Sequence, residues 1–276
     1  MKNIHKKTLD SFSDEWLKFD QQSLNEIESH QILNNYFKIY PLKKLKKNYE
    51  IFDMGCGTGR WAYHLAPFVK KINCIDPSSA LEIAKKKLKK YQNIVYHKSS
   101  VDNVSLKANS QDFGYSLGVL HHIPDTKQAI KDCYNLLKPG GYFLCYLYYS
   151  FDNKPKWFKF IWFISNFLRI IISKFPNYLK MLVTDLIALF IYYPFSKISL
   201  IVEKFKIDVS NLPLSYYRNC SFYTMRTDSR DRFGTPLEKR FTKYQIKIMM
   251  EDAGFIKIKF SNDEPFWCFV GYKPVN

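Results

Sequence analysis

The chain has 276 residues, 46% of them hydrophobic, which suffices for one large α/β domain plus an insertion and for a sizeable core. Six scattered cysteines with no C-x-x-C pairing argue against a disulfide framework and a zinc site, and read as reduced core thiols of a cytosolic protein. The net charge of +17 rests mostly on lysine, so it reads either as a lysine-coated surface or as attraction to an anionic membrane or a phosphorylated substrate.

No apolar run of the signal-peptide kind follows the first residues. Residues 1–40 read as an appended helical segment, with Leu24, Ile27, Ile32, Leu33, Tyr36 and Phe37 at helical spacing. Trp16 and Phe19 read as packing aromatics within it. Residues 49–60 carry the strongest signal. A short apolar strand (Ile51, Phe52) ends in Asp53, and Gly55, Gly57 and Gly59 alternate before a helix over 61–69. A strand, a glycine turn and a helix N-terminus together build a nucleotide pocket at the carboxyl end of a parallel sheet. The dinucleotide fingerprint G-x-G-x-x-G is not met. One-residue spacing with an acid before it suits a ligand with a cationic amino-acid end and no pyrophosphate.

A second strand over 72–75 ends in Asp76, followed by Pro77, Ser78 and Ser79 at a helix start. An acid about 20 residues beyond the glycine turn is placed to accept both hydroxyls of a ribose. Val95–His97 begins a third strand, and Ser100, Val101 and Asp102 follow it. A fourth strand over 111–117 leads into Gly118-Val119-Leu120-His121-His122. A helix over 125–137, the turn Lys138-Pro139-Gly140-Gly141 and a fifth strand over 142–148 come next.

Residues 151–240 read as an apolar and basic helical insertion. Pro176 and Pro194 break its aromatic stretch into roughly two helices, and the longest charge-free run, 186–196, falls short of a transmembrane helix. It fits a cap over an active site or helices at a bilayer surface. The arginines at 218, 226, 230, 232 and 240 cluster here, in a chain that otherwise uses lysine. The guanidinium fork suits carboxylate and phosphate, so Arg226, Arg232 and Tyr223 are the candidates for holding an anionic group on an acceptor. The competing reading is a loop fixed by ion pairs to Asp228 and Asp231. Beyond it, Thr242-x-x-Gln245 opens a helix that Ala253-Gly254 ends, and strands over 255–260 and 266–272 follow.

Asp53-x-Gly55-x-Gly57-x-Gly59 resembles motif I of the class I S-adenosylmethionine-dependent methyltransferases. The resemblance runs over 49 to about 150 and resumes at 242–272. It implies an α/β, Rossmann-like, seven-stranded mixed sheet of order 3-2-1-4-5-7-6 with helices on both faces, plus N-terminal helices (1–40) that close the site and a helical insertion. The implied domains are 1–40, a cofactor-binding core at 41–150, an acceptor-binding cap at 151–240 and the closing elements at 241–276. It implies S-adenosylmethionine as cofactor, held by Asp53, Gly55, Cys56, Gly57 and Gly59, with the ribose on Asp76 and the methionine end near Gly118 and Leu120. Adenine falls to Ser100, Val101 and Asp102. Many relatives carry aspartate where this chain has Ser100, so Asp102 is the substitute acceptor. In-line methyl transfer needs alignment and exclusion of water, and a base only for a hydroxyl or carbon acid, for which His121 or His122 is placed. No metal is called for.

Members acting on base amines carry Asn/Asp-Pro-Pro-Tyr/Phe where this chain has Gly118-Val119-Leu120-His121. Nucleic acid is therefore the lesser reading. The acceptor expected is a hydrophobic or anionic small molecule, a lipid or a lipid-linked glycan, with peripheral contact to the inner face of an anionic membrane. The alternatives are an RNA methyltransferase and a non-catalytic S-adenosylmethionine-binding module.

Overall fold

A computed structural model describes residues 3–21 and 23–275. The chain divides into two compact units. The first comprises Met1–Leu9, Ser29–Ser150 and Leu237–Asn276, and the second Asp10–Glu28 and Phe151–Pro236. The segment 1–40 is thus shared between them rather than forming a piece of its own. Its helices α1 (Lys6–Lys18) and α2 (Glu26–Tyr36) each cross the boundary. All six cysteines are free thiols.

The first unit is built on seven strands: β1 (Glu50–Met54), β2 (Lys71–Ile75), β3 (Ile94–His97), β4 (Gln111–Leu117), β5 (Leu137–Tyr146), β6 (Ile256–Phe260) and β7 (Cys268–Tyr272). Their order is β3-β2-β1-β4-β5-β7-β6, as the resemblance implied. β1 to β5 pair in parallel, and β7 runs antiparallel to both β5 and β6. Side chains alternate across a strand, which sorts the core into two layers. Ile51, Ile72, Phe113, Tyr115 and Leu144 pack with α2, α3 (Arg60–Leu65) and α4 (Ala80–Lys87). Phe52, Met54, Ile75, Phe143 and Phe269 pack with α5 (Thr126–Leu136) and with Ile246, Met249 and Met250 of the helix before β6. β5 starts at Leu137, taking in the expected turn at 138–141 through an irregularity opposite Gln111 and Phe113.

The second unit holds α6 (Lys156–Ile172), α7 (Asn177–Ile187), α8 (Tyr193–Lys204) and α9 (Phe222–Gly234). Pro194 does not break the insertion as expected. α7 runs through a π-helical turn, Ala188–Tyr192, into α8, giving one 28-residue helix, Asn177–Lys204, long and apolar enough by composition to cross a membrane. Proline has no N–H for the i−4 carbonyl and crowds it. A widened turn just before it, with Pro194 in the first turn of α8, absorbs both effects. The arginine-rich stretch is likewise a helix and not a loop. Ser221 caps α9 by accepting from the Thr224 N–H (3.2 Å). Polar residues at nearly every turn of α9 give no apolar periodicity from which to read it.

Inside this unit Arg230 is fully buried and donates to Asp14 (2.9 Å). Glu15 is buried beside them with neither oxygen hydrogen-bonded. Burial pushes its carboxyl well above the usual range, and Asp231 adds to this more than Arg230 opposes it. Folding therefore protonates Glu15, so its contribution to stability falls as pH rises above the unfolded value. Glu15→Gln, which keeps the shape and removes the titration, is expected to raise the melting temperature at pH 8 and leave it unchanged near pH 4. Thermal denaturation at the two pH values checks this, and equal shifts would contradict it.

Candidate cofactor and active site

The site grows from the carboxyl ends of β1, β2 and β4. Asp53 is buried near the end of β1, and the β1–β4 register sets it beside Tyr115. Its Oδ2 and the Tyr115 hydroxyl lie near each other without a hydrogen bond of ordinary length. Burial pushes the Asp53 carboxyl up to about 8. The Tyr115 hydroxyl opposes this and the Asp76 charge adds to it.

The glycine turn is tied to β2. The Gly55 and Cys56 N–H groups donate to the Ile75 carbonyl (2.8 and 3.1 Å), and the Gly57 N–H donates to Asp76 Oδ2 (2.8 Å). Asp76 Oδ1 accepts from the Ser78 N–H (2.8 Å) and hydroxyl (2.5 Å). A carboxylate has about four acceptor positions, so Asp76 keeps about one, on Oδ2, for a further donor. Cys56 is buried, which pushes its thiol well up, so it stays a neutral thiol. Gly59 at φ +75° precedes α3, with its N–H on the Cys56 carbonyl (2.9 Å).

After β3, Ser100 is buried and donates to Asp102 Oδ1 (2.5 Å), while Asp102 Oδ2 accepts the Asn3 N–H (3.2 Å). Val101 is buried between them in sequence. The Asn3 side chain also bonds Asp125 in both directions, its Oδ1 accepting from the Asp125 N–H (2.7 Å) and its Nδ2 donating to the Asp125 carbonyl (2.8 Å), which joins this loop to the start of α5.

After β4, Val119 seats against Gly55, so the glycine turn and the 118–122 loop meet. Gly118 has φ +79°, and the nearest atom to a Cβ placed there is Tyr146 Cδ1 at 3.9 Å. Leu120 is buried. His121 is fully buried, stacks on Tyr148 at 3.8 Å between centroids, and has neither ring nitrogen hydrogen-bonded. Burial, helped by His122 and Arg240, holds its pKa well below the ordinary histidine value, so it is a neutral imidazole. His122 Nδ1 donates to the Leu237 carbonyl (2.8 Å). In the neutral ring this places the acceptor lone pair on Nε2. Arg240 lies over the Tyr148 ring at 5.0 Å and donates to Glu238 (2.8 Å). Tyr115, Tyr146 and Tyr148 escaped the sequence reading, and their only signal was a run of tyrosines in otherwise apolar strands.

The structure thus brings Asp53, Gly55, Cys56, Gly57, Gly59, Asp76, Gly118, Leu120, His121 and His122 to one end of one sheet. The residues fit the implied cofactor. Asp53 Oδ2 is a buried acceptor lacking a partner, and Gly118 leaves a space that any side chain would enter. Residues 52–145 match the family model described as a methyltransferase domain.

The chain carries a methyltransferase domain over residues 52–145.

Curated relatives of the matched segment are named as methyltransferases. A ubiquinone biosynthesis O-methyltransferase from Coxiella burnetii is 32% identical over 97 residues, covering 34% of this chain and 42% of the relative. A demethylmenaquinone methyltransferase from Staphylococcus epidermidis is 27% identical over 134 residues, covering 46% and 54%. The chain thus spans about half the length of these relatives. A SAM-dependent methyltransferase from Thermotoga maritima superposes with a TM-score of 0.52 at 16% identity, over 95% of this chain and 99% of that one, which shows the shared fold.

The candidates for the acceptor lie on α9 in the second unit. Arg226, one of the candidates, is engaged within the unit. It grips both oxygens of Asp185 (2.9 and 2.7 Å), which commits its fork to holding α7 on α9. Arg232 lies 5.9 Å from the Trp162 ring and 5.6 Å from that of Phe233, with Nη2 3.4 Å from the Ser165 hydroxyl. The Tyr223 hydroxyl accepts the Gln21 N–H (3.1 Å). Two arginines of this stretch also meet acids far along the chain. Arg218 pairs with Glu203 (2.9 Å) and Arg230 with Asp14. Among the described residues no cluster of ligating side chains could hold a metal ion.

Proposed function

We propose that this protein transfers a methyl group from S-adenosylmethionine to a hydrophobic small-molecule acceptor. The observation that carries the reading is the pair of carboxylates, Asp53 and Asp76, flanking a glycine turn at the ends of β1 and β2. The methionine ammonium is assigned to Asp53 and the ribose hydroxyls to Asp76, with the adenine beside Ser100, Val101 and Asp102. The sulfonium of the cofactor supplies an electrophilic methyl group, so the protein's tasks are alignment and exclusion of water. Gly118 and Leu120 shape the methyl end. Relatives named for ubiquinone and menaquinone steps support an apolar, ring-bearing acceptor.

His122 suits proton acceptance from an acceptor hydroxyl better than His121. The Leu237 carbonyl fixes its tautomer with Nε2 as the basic nitrogen. His121, sealed against Tyr148, resists taking a charge.

The test uses the purified protein with radiolabelled S-adenosylmethionine and fractionated extract. Label is expected in the organic-soluble fraction. Label confined to RNA, or none together with no affinity for S-adenosylhomocysteine, would overturn the reading. Asp76→Ala should weaken S-adenosylhomocysteine binding by about 1.5–3 kcal/mol, the value of hydrogen bonds to a charged group. His122→Gln should lower turnover while leaving that affinity intact. Calorimetry and rate measurements on the two variants separate these effects.

A further inference from the structure

The second unit has a small apolar core, Ile172, Tyr192, Met225 and Phe233, with many polar groups buried around it, and an apolar exterior. On α6 the inward positions are Trp162, Ser165, Asn166, Arg169 and Ile172, whereas Phe160, Ile164, Phe167 and Ile171 lie on the other side and are exposed. On the helix Asn177–Lys204 the buried stripe is Lys180, Thr184, Ala188, Tyr192, Ser196 and Ser199. The opposite stripe, Tyr178, Leu182, Leu186, Leu189, Phe190 and Tyr193, is exposed, with Phe190 at 67%. The inward stripes pack on α9, which buries Met225 and Phe233 together with Thr224, Thr227, Ser229 and Arg230. Spacing of three and four residues places each stripe on one face of its helix. A water-soluble unit shows the reverse polarity, and apolar patches of this extent mark a binding surface.

We infer that the exposed faces of α6 and of the helix Asn177–Lys204 seat the protein on a lipid bilayer with anionic headgroups, entering the acyl boundary without spanning it. Charge favours that occupant. Between residues 156 and 206 the exposed cations are Lys156, Lys159, Lys174, Lys204 and Lys206, at or beyond the helix ends. The acids of this stretch, Asp185 and Glu203, are both paired with arginines, so they do not offset the lysines toward an outside partner. Lysines at the rim meet phosphate headgroups while Trp157, Tyr178 and Tyr193 suit the headgroup–acyl boundary. A protein partner selects against lysine and favours a smaller apolar centre. One stripe of each helix is taken up by α9 and carries Arg169, Lys180 and Asp185, which binds these helices to protein along their length. That fits a helix lying in the interface rather than crossing it.

The experiment is flotation of the purified full chain with vesicles of phosphatidylcholine alone and of phosphatidylcholine with phosphatidylglycerol. Binding is expected to the anionic vesicles, reduced but not abolished by 1 M salt, because the apolar contact is not screened. Brominated acyl chains should quench tryptophan fluorescence, reporting Trp157. The triple substitution Phe160→Asp, Phe163→Asp, Phe167→Asp changes only exposed side chains. It should cut vesicle binding at least tenfold. S-adenosylhomocysteine affinity, measured on the same preparation, should be unaltered, which keeps this inference distinct from the proposed reaction. A wild-type protein that stays with the aqueous fraction overturns the inference. So does a stable dimer that the triple substitution dissociates, since the surface would then join copies of the chain.

Discussion

Gly118→Ala is expected to leave the fold standing and to lose the cofactor, whereas Gly55→Ala loses both. The two glycines share a left-handed backbone, φ +79° and +81°. That alone costs a non-glycine residue about 1–2 kcal/mol. Their surroundings separate them. A Cβ on Gly55 would sit 2.4 Å from Val119 Cγ1 and 2.5 Å from Cγ2, so the branched side chain cannot clear it by turning one methyl. Overpacking of this kind adds roughly 1–3 kcal/mol, for a total of about 2–5 kcal/mol. It also parts the glycine turn from the 118–122 loop. A Cβ on Gly118 meets nothing nearer than 3.9 Å, so only the backbone term applies. The added methyl instead enters the space assigned to the methionine end. We expect S-adenosylhomocysteine to bind at least about tenfold more weakly, about 1.4 kcal/mol, with a melting temperature only a few degrees lower. Thermal denaturation and calorimetry on the two variants give the result. Unchanged affinity in Gly118→Ala would show that the cofactor lies elsewhere.

The contrast between these glycines shows what kinds of fact are local enough to read from sequence. Asp53, Asp76 and the alternating glycines are demanded by the backbone and by the ligand within a few residues of chain, and they stand out without any tertiary knowledge. The sheet order came with the resemblance, and the alternation of Ile51 and Phe52 across β1 sorts into two layers as strand geometry requires. Tyr115 could not be found that way. It reaches Asp53 only because β4 pairs beside β1 in the register Asp53↔Tyr115, a contact made across 62 residues of intervening chain in the same ladder that joins Ser116 to the Met54 carbonyl. The acids that Arg226 and Arg230 meet were out of reach for the same reason, since Arg226 and Asp185 are 41 residues apart and Arg230 and Asp14 are 216 apart. The second unit misled for a different reason. Proline is a strong breaker in water, but a π turn before Pro194 let the helix continue. Many polar residues that would ordinarily mark a solvent face, Thr184, Ser196, Ser229 and Arg230 among them, are buried around the small apolar core of this unit.

Asp53→Asn is expected to uncouple cofactor binding from pH. In the ligand-free protein the Asp53 carboxyl, pushed up to about 8 by burial, is mostly protonated at pH 7. The unfolded chain would hold the same group ionised above about pH 4. Between those values the folded state carries one more proton than the unfolded state, so stability falls as pH rises, by about 1.4 kcal/mol per unit. Above about pH 8 both states are ionised and the cost is complete, on the order of 5 kcal/mol. Asparagine removes the titration, so the variant should be the more stable form at pH 8 and should gain little near pH 4. Binding runs the opposite way. An ammonium selects the ionised carboxylate, so a ligand docking at pH 7 must drive the Asp53 proton into solvent. Affinity for S-adenosylhomocysteine should therefore rise about tenfold per unit between pH 6 and 7.5, and close to one proton should be released per ligand bound at pH 7. Calorimetry in buffers of different ionisation enthalpy measures that release directly. In Asp53→Asn the release should vanish, and the affinity should be weak and flat with pH. Proton release that persists in the variant would assign the linkage to another group and remove Asp53 as the counter-charge of the methionine end.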